Sequence, residues 1–103
     1  MAAASSRVRL DLNSPEFLDV FFRLGLAELK QVVGSLQRVR TLDWNTLYRH
    51  GGFQWEAIRH IRAPNGATAY SLRLSEKIRA IAFRDGDFLR LLALHADHDS
   101  AYE

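Results

Sequence analysis

Cysteine is absent from the 103 residues, which excludes disulfides and thiolate-held metals. No apolar run approaches the ~20 residues that a membrane-spanning helix needs. The opening "MAAASSRVRL" has no apolar core of an export signal. A cytoplasmic chain with no membrane partner is therefore expected. Lysine is scarce: of the 14 basic residues only Lys30 and Lys77 are lysines, and the others are arginines. Acidic residues number 12, so the formal charge is only +2 and overall charge does not argue for nucleic-acid binding. Gly51-Gly52 lacks the Lys-Ser/Thr that follows in a phosphate-binding P-loop. No H-E-x-x-H pair and no serine-hydrolase elbow occurs, so neither a metal nor a small-molecule cofactor is expected.

What remains is the composition of an ordinary globular domain, 48% apolar and 25% charged. The length suits one domain over residues 1–103, with residues 1–6, small and polar, expected as a flexible tail.

"RVRLDL" alternates as a strand, with Val8, Leu10 and Leu12 on one face. "NSPEF" reads as a helix start, with Asn13 or Ser14 as cap and Pro15 in the first turn. Phe17, Val20, Phe21 and Leu24 follow at helical spacing until Gly25 interrupts. A second apolar stripe runs through Leu26, Leu29, Val33, Leu36 and Val39. Trp44, Leu47 and Tyr48 add a further turn before "HGG". The grammar then changes to strands: "FQWEAIRHIR", "TAYSLRLS", "KIRAIAF" and "DFLRLLALH". The expected class is α+β, with N-terminal helices on one face of a curved, mainly antiparallel sheet of about four strands.

Arginine offers a planar, permanently charged fork for phosphate or carboxylate oxygens, so its placement matters. A two-residue turn at Asp85-Gly86 sets Phe83 opposite Phe88, Ile81 opposite Arg90 and Arg79 opposite Leu92. A three-residue loop at Ser75, Glu76 and Lys77 sets Arg73 opposite Arg79 and keeps Arg73 out of the helix-covered core. Arg73, Arg79 and Arg90 are then expected on one open sheet face. Such a face can simply be wet. Like charges on adjacent strands repel, however, and an anion over them would relieve that.

The ordered pieces "WEAI", "YSLRLSEKIRAIAF", "DGDFLRLLAL" and "HDSAY", over roughly residues 14–103, resemble the RelE/ParE superfamily of bacterial toxins. The resemblance extends to its RelE/HigB-like mRNA interferases, and it rests on Trp55, Glu56, Ser71 to Leu74, Arg79, His98, Asp99 and Tyr102. It implies a RelE-like fold and a metal-independent endoribonuclease that cuts mRNA on the ribosome. The RNA 2′-hydroxyl would attack the adjacent phosphorus and expel the 5′-oxygen. It implies a cognate antitoxin protein as partner, covering the basic face. The superfamily also holds gyrase-poisoning ParE-like relatives and non-toxic orphans, and fold alone does not separate these.

The chemistry needs a base, a cation for the phosphorane and an acid. Arg79 is the candidate cation, with Arg73 beside it and with Arg90 and Lys77 as further phosphate contacts. Glu56 is the candidate base, or else a surface residue. His98, flanked by Asp97 and Asp99, is the candidate acid or the partner of Glu56, or else a solvated histidine. Tyr102 could stack on a base or donate a hydrogen bond to the RNA, or else anchor the chain against the sheet. His95 is read as structural. With so few lysines, ion release should contribute little to binding of free RNA.

Overall fold

The computed structural model describes residues 5–96. The elements run β1 (Arg9–Asp11), α1 (Pro15–Phe21), α2 (Leu26–Arg40), α3 (Trp44–Arg49), β2 (Glu56–Arg62), β3 (Thr68–Arg73), β4 (Ile78–Asp85) and β5 (Phe88–Ala96). The class is α+β as expected. The sheet differs from expectation in having five strands, in the order β1-β5-β4-β3-β2. It is mixed, because β1 joins β5 in parallel through Arg9↔Phe88, Leu10↔Leu89 and Asp11↔Arg90. The other three pairings are antiparallel. The helical stretch between β1 and the rest of the sheet is long enough for a crossover, which a parallel neighbour requires.

Pro15 starts α1 and Ser14 is its cap residue, but the Ser14 hydroxyl does not cap the helix. It donates instead to the Leu92 carbonyl oxygen at 2.8 Å, tying the helix start to β5. Gly25 precedes α2. In α2 the buried stripe is Val32, Ser35, Leu36 and Val39, a helical i, i+3, i+4, i+7 set. Leu26 and Val33, expected in that stripe, are exposed, because they lie off the face turned to the sheet. Asp43 caps α3 by accepting from the Thr46 backbone N–H at 2.8 Å.

The core lies between the helices and one sheet face. Phe17, Val32, Val39, Trp44 and Leu47 meet Leu72, Ile78, Ala80, Ala82, Leu89 and Leu91 there. Val8 is buried, and Leu10 and Leu12 pack against this core, as their alternation implied. Ala80 and Ala82 of β4 are fully buried in this core. Ser5 and Ser6 are held rather than loose: Ser5 Oγ accepts from Asn45 N–H at 3.1 Å, and the Ser6 carbonyl accepts from Trp44 N–H at 2.9 Å.

The β3–β4 register is the expected one, with Leu72↔Ala80 and Arg73↔Arg79. The β4–β5 register corrects expectation. Asp85 pairs with Phe88, so the two turn residues are Gly86 and Asp87, not Asp85 and Gly86. Only Gly86 carries positive φ (63°), which a type II′ connection needs and a type I′ would require at both positions. Phe83 consequently faces Arg90. A bulge then inserts Leu92, since Ala82 pairs with Leu91 but Ile81 pairs with Ala93. Beyond the bulge Arg79 faces His95.

Candidate functional site

The helix-free face of the sheet carries the candidate groups. Its last complete row crosses three strands: Arg73 on β3, Arg79 on β4 and His95 on β5. One row inward, Glu56 on β2 pairs with Ser71, and Ser71 pairs with Ile81. Successive strand residues point to opposite faces, which explains the adjacent Trp55 and Glu56. Trp55 stacks on Tyr70 at 4.5 Å toward the helix side. Glu56 is thereby presented on the face of Arg79, and it is exposed.

Arg79 is half-buried and held at two points. Nη1 donates to Ser71 Oγ at 3.5 Å, and Nη2 donates to Gln54 Oε1 at 3.0 Å. Gln54 is the single non-glycine at positive φ among the described residues (50°). That backbone lets the chain turn from α3 into β2. Arg73 is anchored through its Nε to the Ser75 carbonyl at 3.2 Å. Neither guanidinium has a carboxylate partner among the described residues. Two positive charges thus stand cross-strand with only neutral acceptors, an arrangement that repels itself and attracts an anion.

Arg90 does not join this pair. It ion-pairs with Asp11 and, at 2.8 Å, with Asp85. The Asp85 and Asp11 carboxylates hold its guanidinium pKa above the ordinary value. Its role is to tie β1 and the hairpin turn to β5. The expected convergence of three arginines is therefore a convergence of two. Lys77 sits exposed in the β3–β4 turn, where its N–H donates to Ser75 Oγ at 3.3 Å. His98 and Tyr102, with Asp97 and Asp99, lie outside the described residues.

Two residues of the site escaped sequence reasoning. The sequence places His95 at the end of a strand and reads it as structural, whereas the bulge at Leu92 sets it opposite Arg79. The run Leu91-Leu92-Ala93-Leu94 is apolar on both faces, so its alternation does not reveal where the bulge falls. Gln54 left no signal either, because a glutamine in the left-handed region has no sequence signature. Compared with known proteins, the chain has no significant match to any family model, curated protein or solved structure.

Proposed function

We propose that this chain is a RelE-like toxin of a toxin–antitoxin pair, a metal-independent endoribonuclease acting on mRNA at the ribosome. The observation that carries the reading is the row Arg73, Arg79 and His95, whose guanidiniums are hydrogen-bonded only to neutral acceptors among the described residues. A scissile phosphate over this row would place its developing charge against Arg79. Arg79 is poised for that role because Ser71 and Gln54 hold it in place before substrate arrives.

The 2′-oxygen forms a bond to phosphorus and the bond to the 5′-oxygen breaks. Glu56 takes the 2′ proton and an imidazole returns one to the leaving oxygen. His95 is the described imidazole on this face, and His98 is the one the sequence resemblance assigns. Tyr102 would stack on a base of the substrate. The partners under this reading are mRNA on the ribosome and a cognate antitoxin whose acidic groups would cover Arg73 and Arg79.

The test is induced expression with mapping of cellular mRNA ends. Wild type should arrest growth and produce new mRNA ends, and Arg79→Ala at equal protein level should do neither. Cleaved DNA complexes without mRNA ends would instead make the chain a gyrase poison. Absence of any growth effect would make it a non-toxic orphan of the same fold.

A further inference from the structure

We infer a second oxyanion site, adjoining the Arg79 row and sharing Arg73 with it, in the cavity between α2, the α3–β2 connection and the end of β3. The cavity measures about 200 Å³ and is lined by Ser35, Arg38, His50, Phe53 and Arg73 among others. That volume is far above the ~10–15 Å³ that one water occupies on the same measure. It can therefore take a phosphate group with some of its hydration.

Its donors are fixed in advance. Arg38, in the last turn of α2, donates from Nη2 to Ser35 Oγ at 2.9 Å, and its guanidinium carbon lies 5.9 Å from the Phe53 ring centre. Ser35 is buried and donates in turn to the Leu74 carbonyl, so Arg38 rests on a buried hydroxyl. Arg73 spends Nε on the Ser75 carbonyl. Arg38 Nη1 and both Nη atoms of Arg73 have no partner among the described residues. His50 Nδ1 accepts from the Gly52 N–H at 3.1 Å, which leaves Nε2 as the donor of a neutral ring. A Cβ at Gly52 would stand 3.1 Å from the His50 ring, so glycine there permits this ring position.

The balance of charge points the same way. Two arginines line one cavity, and the carboxylate beside them, Glu76, is exposed and pairs with neither. Planar guanidiniums from two elements, with a ring N–H beside them, suit the several acceptor oxygens of a phosphate. The ligand is a phosphate group, supplied either as a free ion or as a diester of a bound strand. Only the diester source rests on the nuclease reading, and Arg73 is the one residue common to both sites.

The experiment is a ¹H–¹⁵N titration of the full chain with sodium phosphate, at ionic strength held constant with sodium chloride. Saturable shifts are expected at the amides of Arg38, Gly52, Phe53 and Ser75. Arg38→Gln, which can still reach Ser35, should weaken them at least tenfold, and Arg23→Gln, the same charge loss at an exposed arginine outside the cavity lining, should leave them within twofold of wild type. Shifts absent in phosphate, or unchanged in Arg38→Gln, overturn the site. A 2′-O-methylated tetraribonucleotide separates the sources, because it carries diesters but no attacking hydroxyl. Shifts at the same amides that displace inorganic phosphate assign an RNA strand, and shifts with inorganic phosphate alone assign the free ion. Loss of growth arrest in Arg79→Ala with no phosphate binding would leave the nuclease reading standing and remove this one.

Discussion

Arg79 Nη2 and Gln54 Oε1 are joined at 3.0 Å, and Gln54 makes that bond from a left-handed backbone with φ of 50°. A side chain in this region costs roughly 1 kcal/mol or more. A glycine would remove that cost and the carbonyl oxygen together, while gaining freedom in the unfolded chain. Gln54→Gly should therefore stay within about 1 kcal/mol of wild-type stability in urea melts. If the chain is the proposed toxin, growth arrest should fall, because Arg79 keeps only its long contact to Ser71. A Gln54→Gly protein as toxic as wild type at equal expression would sink the positioning role.

His95 faces Arg79 because of the bulge at Leu92. If it supplies the leaving-group proton, His95→Gln should slow mRNA cleavage by roughly 10²–10⁴-fold without changing the melting curve. His98→Gln is the paired experiment. A full loss in His98→Gln with wild-type cleavage in His95→Gln would assign the acid to His98 alone.

Arg90 serves the fold. Arg90→Ala strands Asp11 and Asp85 and should lower stability, while any mRNA cleavage under the proposed reading stays near wild type per folded molecule. Asp11 and Asp43 set a pH dependence. The Asn13 backbone N–H and the Arg90 guanidinium hold the Asp11 carboxyl below its ordinary pKa, and the Thr46 hydrogen bonds do the same for Asp43. A folded-state pKa below the unfolded one, about 3.9, means the contribution is complete above that pH. It is lost as pH falls through the lower folded values. Urea midpoints should thus change little from these groups between neutrality and about pH 4, then drop. Asp11→Asn should flatten the acid limb, and an unchanged limb would contradict the assignment.

Trp44 joins the helices to the hairpin turn. It is fully buried, its Nε1 donates to the Asp87 carbonyl at 3.2 Å, and the Arg84 guanidinium lies 4.4 Å from its ring centre. Trp44→Ala should cost about 3–5 kcal/mol in equilibrium unfolding, as large buried aromatics do. Trp44→Phe should cost less, because a phenyl ring still fills most of the site although the Asp87 bond is lost and part of the indole volume is left empty. Equal costs for the two variants would show that packing of the ring contributes little.

The chain itself dictated every element. Pro15 and Gly25 mark the starts of α1 and α2, the doubled glycine after His50 closes the helical region, and period-2 alternation marks the strands. The β3–β4 register was legible too, because the alternative would bury Arg73 without a partner. Local chemistry decides such features, so local residues reveal them. Tertiary structure decided the rest. The parallel seat of β1 depends on a crossover, whose destination no residue of β1 encodes. Arg90 is neutralised by Asp11, which is distant in the sequence but adjacent once β1 docks. His95 reaches Arg79 only because a bulge moves the end of β5 by one residue, and Ser14 from another element takes up the Leu92 carbonyl at that bulge. A one-residue shift changes every cross-strand partner beyond it, which is why the arginines could be named from the sequence and their neighbours could not.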